Sequence, residues 1–321
     1  MSTRVPPLLV GLVDDASAVP PCTVTLSEAV AGHTVHRTAW YADMVGPLLL
    51  TATQITEAVD HGSLPGLTAN VPPLAVGVVA DDGPAPRGLD RVVAAVAAGS
   101  GPDPGPDPPP HPQPHPQPHP GAAAWLRVRH VEIPVAMRGD DPIPGLSAVI
   151  EAAGSVPAVT FYAEIPLTWG VLASLDQLAE ARAAGVDVAP KFRTGGLAAE
   201  LFPTPIELAA VICACRDRAL PFKLTTGLHR AIRRTDPETG LVNHGFMNVL
   251  AAVLAADAGA EAADLAELLG GTDPGMLVEV TNGLLGTARP LWRGFGTCGV
   301  GEPLADLRSL GLLPVLPTAL S

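Results

Sequence analysis

Two hydrophobic patterns alternate along the chain. Short apolar runs rich in Val, Ile and Leu are separated by Ala- and Leu-rich stretches with helical spacing. The runs at 8–15, 47–53, 74–81 and 126–135 predict strands, as do those at 158–166, 186–196, 221–229 and 291–299. Helical segments fall between them, among them 27–45, 88–99, 174–185 and 204–219, with Ser174 and Thr204 as expected N-caps and Gly185 as a stop. Residues 245–271 predict two helices, and 302–313 predicts a last one. Strict strand–helix alternation implies a parallel sheet. Over 321 residues it fits a closed (β/α)8 barrel, a TIM-like α/β fold, with an open doubly wound sheet as the alternative. No G-x-G-x-x-G follows the first strand, so the dinucleotide-binding form of the open sheet lacks its fingerprint.

One segment breaks the pattern. Residues 101–120 read GPDPGPDPPPHPQPHPQPHP, and eleven of these 20 are proline. Proline fixes φ and offers no backbone donor, so the segment predicts an extended, disordered loop within a single barrel domain spanning 1–321. It falls before the fourth strand, on the bottom face of the barrel. His111, His115 and His119 allow loose metal binding there, against a plain stiff surface loop.

Composition narrows the function classes. At 47% hydrophobic and 16% charged residues the chain has ample material for a packed core. Its net charge of −13 makes it a poor partner for polyanions, which excludes nucleic acid and acidic membrane surfaces. No run approaches the ~18 apolar residues of a membrane helix. The apolar stretch near the N-terminus is broken by Pro6 and Pro7, unlike a signal peptide. Four cysteines, Cys22, Cys213, Cys215 and Cys298, are too few and too scattered for a disulfide scaffold. These features point to a soluble cytoplasmic protein, with a homo-oligomer left open.

Barrel sites form at the C-terminal ends of strands. There the sequence offers Asp14 and Asp15, then His130 and Glu132, Tyr162 and Glu164, Lys191 and Arg193, then Lys223, Thr225 and His229, and finally Cys298 and Glu302. Residues two apart share a strand face. His130, Glu132 and Pro134 therefore oppose Val131, Ile133 and Val135, while Lys223, Thr225, Gly227 and His229 oppose Phe222 and Leu224. The apolar sets would pack under helices and the polar sets would point into the barrel, as a site or as a structural ion-pair network. Two lysines in one dry pocket lower each other's pKa, which makes a nucleophilic amine; alternatively they bind an anion as fixed charges. Glu132, Glu164 and Asp14 would move protons, with His229 as an auxiliary acid or base. Gly195, Gly196, Thr226 and Gly227 form either an anion cradle with Arg193 and Thr225 or tight strand-to-helix turns. Lesser candidates are Cys298 as a thiol nucleophile and His33 with His36 as metal ligands. Cys213 and Cys215 read as core thiols, and the RGD at 138–140 as an ordinary loop.

The stretches VDDASAVPP (13–21), PKFRTGG (190–196), PFKLTTGLHR (221–230), HGFMNVLAA (244–252) and FGTCGVGEPLADLRSLGLL (295–313) resemble an uncharacterised family of bacterial (β/α)8 barrels. That resemblance implies the fold and carries no activity. A narrower one joins KLTTG at Lys223 and KFRTGG at Lys191 to class I Schiff-base aldolases of the deoxyribose-phosphate aldolase type. It implies that one lysine forms an imine while the other lowers its pKa, with the lysine before the Gly pair coming first in this chain. The expectation is a cofactor-independent lyase that acts on a small anionic, including phosphorylated, carbonyl compound. In it Lys223 is the nucleophile, and Lys191 and Arg193 tune its pKa and bind the anion. The alternatives are a metal-assisted enolising enzyme with Asp14, Glu132 and Glu164 as ligands, and a non-catalytic binding barrel.

Overall fold

The structure is a computed structural model that describes residues 4–62, 64–65, 73–99 and 125–314. Eight parallel strands close into a barrel: β1 (Val13–Asp15), β2 (Val45–Thr51), β3 (Leu74–Val79), β4 (Leu126–Pro134), β5 (Thr160–Glu164), β6 (Val188–Arg193), β7 (Phe222–Thr225) and, last in the chain, β10 (Trp292–Thr297). Neighbours follow chain order, and β10 closes the ring between β7 and β1. The expected TIM-like (β/α)8 barrel is therefore the architecture. A two-stranded antiparallel hairpin, β8 (Arg234–Thr235) with β9 (Val242–Asn243), stands on the loop after β7.

Helices α1 (Leu26–Thr38), α2 (Ala52–Asp60), α3 (Leu89–Gly99), α4 (Pro142–Ser155), α5 (Val171–Ala183) and α6 (Pro205–Asp217) follow the first six strands in turn. Between β7 and β10 come α7 (Phe246–Asp257), α8 (Ala262–Gly270) and α9 (Pro274–Asn282), and α10 (Gly301–Ser309) follows β10. The two helices predicted within 245–271 are α7 and α8. Start signals are explicit. Thr25, Thr51 and Thr204 each accept a hydrogen bond from the backbone three residues on, where Glu28, Gln54 and Glu207 complete capping boxes. The expectation for Ser174 is corrected. It lies inside α5, which starts after Gly170 (φ +85°), and its hydroxyl donates to the Gly170 carbonyl.

The first strand is shorter than the apolar run 8–15 suggests, because Pro7–Leu9 forms a 3-10 turn whose Leu8 and Leu9 are fully buried. A burial requirement alone makes a run apolar in either conformation. The seventh strand also stops early, at Thr225, because Thr226 (φ +62°) and Gly227 (φ +78°) turn the chain into the left-handed region. The Pro-rich segment 101–120, with His111, His115 and His119, falls between α3 and β4 and lies outside the described residues.

Strand alternation sorts the core as expected. Val131, Ile133, Phe161, Phe192, Phe222 and Phe295 are buried outside the barrel wall against the helices. The inward positions hold charge instead. A bulge at Arg129 sets the phase, since Val76 pairs with Val128 but Gly77 pairs with His130. Beyond it His130, Glu132 and Pro134 face inward. At the opposite end Arg289 donates to the carbonyls of Leu8, Val10, Gly11, Trp292 and Arg293 and so ties β10 to the segment before β1.

Candidate active site

Register brings the expected charges to one level. Glu164 on β5 pairs with Lys191 on β6, and Lys191 pairs with Lys223 on β7. Asp14 on β1 pairs with Gly296 on β10. Gly296 has no side chain to stand between β1 and β7, and Lys223 Nζ reaches across to donate to Asp14 Oδ2. It also donates to Glu132 Oε1, lies 3.1 Å from His130 Nε2, and sits 5.3 Å from the Tyr162 ring centroid. Lys191 Nζ lies 2.7 Å from Glu132 Oε2 and 2.8 Å from Glu164 Oε2. Arg193 reaches the other Glu164 oxygen with Nη2 at 2.8 Å. Glu132 is thus shared by both lysines and Glu164 by Lys191 and Arg193. Three carboxylates face three cations.

Two strand glycines make the room. A Cβ at Gly46 would overlap the Asp14 carboxylate, and one at Gly77 would overlap the His130 ring. Neither glycine stands out in the sequence. Their signal is a glycine inside an otherwise apolar strand, which marks close approach of another group.

Burial raises the electrostatic stakes. Lys191, Lys223, Glu132, His130 and Asp14 are all buried. For Lys223, burial alone would lower the amine's pKa, but Asp14 and Glu132 outweigh it and hold the group well above the ordinary lysine value. Lys191 is raised the same way: burial opposes, and Glu132 and Glu164 prevail. Burial would raise both glutamates, yet Lys191 and Lys223 hold Glu132 well below the ordinary carboxylate range, and Lys191 and Arg193 hold Glu164 below it. The expectation of mutually depressed lysines is therefore corrected. Each amine has two carboxylates at contact distance, and these outweigh its lysine neighbour.

A cavity of about 920 Å³ opens at the C-terminal mouth of the barrel. Lys191, Glu132, Glu164 and Arg193 line its floor, with Thr225 and Thr226 beside them. Lys223 and Asp14 are not among its lining residues, although the two lysines are almost equally buried, Lys191 at 4% and Lys223 at 2% exposure.

Other candidates part from the cluster. His229 is exposed in the loop past β7, on the cavity rim, because the strand ends four residues earlier and its alternation does not extend that far. Glu302 is exposed in the first turn of α10. Gly195 and Gly227 let the ends of β6 and β7 approach each other, since a Cβ on Gly195 would meet Gly227 Cα at 2.8 Å, and Gly196 packs beneath Leu201. Their observed work is the tight turn. His33 is buried on α1 and lies 3.1 Å from Asp15 Oδ2, whereas His36 lies 3.0 Å from the Tyr41 hydroxyl, so the two share no ligand position. Cys213 and Cys215 are buried free thiols on α6, and burial pushes both up.

Cys298 is not a free thiol. It is disulfide-bonded to Cys22, with Cα atoms 5.6 Å apart and a sequence separation of 276. Barrel closure explains a pair that linear spacing hides: Asp15 and Thr297 are register partners across β1 and β10, and each cysteine follows close behind. The bond straps the loop after β1 to the end of β10 at the cavity wall. It also removes the cysteine argument for a reducing compartment. A Cys22→Ser/Cys298→Ser double variant is expected to lose about 2–5 kcal/mol of stability and to show a lower Tm by calorimetry, since the bond closes a very long loop.

Asp14, His130 and Glu132 also form a group with metal-ligating potential, their ligand atoms all within 4.8 Å of one another. The position between them holds the Lys223 ammonium. A divalent ion would have to displace a cation the chain itself supplies. Glu164, the third oxygen ligand expected for such an ion, is engaged by Lys191 and Arg193.

Comparison with family models, with curated proteins and with solved structures gave no match. Among the described residues no helix is long and apolar enough to cross a membrane.

Proposed function

We propose that this barrel is a cofactor-independent lyase of the aldolase type, with Lys191 as the amine that forms an imine with a carbonyl substrate. The observation that carries this reading is the placement of Lys191 at the cavity floor, with Glu132 and Glu164 at 2.7 and 2.8 Å. A protonated amine cannot attack, so it needs a base in contact. Glu164 takes the ammonium proton. The freed amine adds to the carbonyl carbon, and the carbonyl π pair moves to oxygen, which takes that proton back. Glu164 next takes an N–H proton from the carbinolamine's ammonium nitrogen and passes it to the hydroxyl, which leaves as water while the nitrogen lone pair so freed forms the C=N bond. The resulting iminium accepts the electron pair of the bond that breaks between the α and β carbons. The β-hydroxyl proton returns to a carboxylate as the aldehyde product leaves.

Lys223 serves as the positioning cation. It holds Glu132 and Asp14 from below and keeps Glu132 ionised beside Lys191. Arg193 does the same for Glu164. The roles differ from those implied by the aldolase resemblance, which favoured Lys223 as nucleophile, because Lys191 faces the cavity and Lys223 does not.

The test is borohydride trapping with a panel of aldehydes and ketones, read by intact mass and peptide mapping. An adduct is expected on Lys191, lost in Lys191→Ala and retained, though reduced, in Lys223→Met. An adduct on Lys223, or adducts spread over exposed amines, would defeat the assignment.

A further inference from the structure

The cavity above Lys191 is large, apolar on its sides and lined by more acidic than basic residues. Its volume of about 920 Å³ sits at the upper end of what drug-sized ligands occupy. A small phosphorylated metabolite would leave most of it to water. The walls are built from Val19, Leu49, Val79, Ile165, Leu167 and Phe202, with Met137 at the mouth.

The charges on that wall do not suit an anion. The carboxylates of Asp81, Glu132, Glu164, Glu200 and Glu207 line it. Against these five stand Lys191, Arg193 and Arg138. Both floor cations are already matched, Lys191 by two carboxylates and Arg193 by one. A phosphate or carboxylate entering here would find both floor cations engaged, with the exposed Arg138 set among an excess of carboxylates, and it would lose its own hydration on the way in. The buried hydrogen-bonding groups left unengaged on the wall are neutral: the hydroxyls of Thr226 and Thr297 have no partner among the described residues. A hydroxyl can donate to a carbonyl or accept from an alcohol, and it carries no preference for charge.

We infer that the substrate is an uncharged carbonyl compound with an extended apolar body, its carbonyl end seated on the floor beside Lys191 and its chain along the apolar wall. This rests on the Schiff-base reading for the carbonyl and replaces the small anionic class that the motif resemblance implied. An extended apolar body gains from burial along the whole wall, whereas a three-carbon anion gains almost nothing there.

The experiment uses matched pairs on the full-length protein. Trapping compares 2-decanone with 2-oxodecanoate, which differ by the carboxylate beside the carbonyl, and adds propanal, pyruvate and glyceraldehyde 3-phosphate. The expected result is an adduct on Lys191 with 2-decanone at least about tenfold more abundant than with 2-oxodecanoate or either small anion. Met137→Glu, at an exposed mouth position, should reduce trapping of 2-decanone severalfold more than that of propanal. Equal or greater trapping of the anionic compounds would overturn the inference. Calorimetric binding of the unreactive pair 2-decanol and 2-hydroxydecanoate separates the two layers. If nothing is trapped but 2-decanol binds in preference, the Schiff base fails and the substrate class stands. Absence of binding by both, or preference for the carboxylate, overturns the class whatever the trapping shows.

Discussion

Replacing Lys223 with methionine is expected to destabilise the barrel by about 3–5 kcal/mol, the largest stability effect in the cluster. Methionine fits the volume but leaves Asp14 and one oxygen of Glu132 buried without their cation, and an uncompensated buried charge costs more than the ion pair gained. Urea unfolding at pH 7 with an unchanged m-value measures it. A loss below about 1 kcal/mol would mean that water reaches the site and screens it.

Lys223 is raised above the ordinary lysine value of 10.5, so its contribution is fully present below that pH and is lost as pH rises through the higher folded value. Glu132 is lowered below the ordinary glutamate value of 4.5, so its contribution is present above that pH and is lost as pH falls through the lower folded value. The wild-type cluster therefore contributes a constant amount across the whole interval between the two ordinary values. In Lys223→Met, Glu132 loses one of the cations that depress it. The variant's deficit should narrow in acid, where its Glu132 takes up a proton more readily than that of the wild type.

Glu132→Gln is expected to move the pH profile of Lys191 trapping downward by about 1–3 units. Lys191 then keeps Glu164 alone, and Lys223 keeps Asp14 alone. The two amines remain register partners on β6 and β7 but no longer share a counterion, so their repulsion is less compensated. The amide is nearly isosteric, which limits the effect on packing. Propanal trapping on Lys191 across neutral to alkaline pH gives the profile, with Glu132→Asp as the variant that restores it. A profile that does not move would mean that Glu164 by itself sets the amine's protonation, and Glu132 would then be a structural ligand of Lys223.

Much of the cluster is visible in the chain. Glu132 two residues after His130, Glu164 two after Tyr162 and Lys191 two before Arg193 announce inward positions, because a strand's period of two leaves charged residues no other face when the alternate residues are Val, Ile and Phe. Thr204 with Glu207 announces the start of α6 for an equally local reason, a side chain satisfying a backbone donor three residues away. The unequal standing of the two lysines is not visible. KLTTG and KFRTGG are alike as strings, and only the closed barrel puts Lys191 in the cavity lining and leaves Lys223 out of it. The protonation of the amines is equally hidden. Lysine next to lysine suggests a lowered pKa until Asp14 is brought across Gly296, over a separation of 209 residues from Lys223.

The sequence by itself determined the alternation of strands and helices, the side of each strand that is apolar, and the residue types that meet in the barrel mouth, since these depend on periodicity and local hydrogen bonding. Tertiary structure alone decided which chain ends meet. Closure between β1 and β10 joins Cys22 to Cys298 and Asp14 to Lys223, and the missing side chains of Gly46 and Gly77 leave room for the carboxylate and the imidazole. It also decided that the early turn at Thr226 leaves His229 on the rim. Ring closure, register and depth are properties of all eight strands at once, and no stretch of the chain carries them alone.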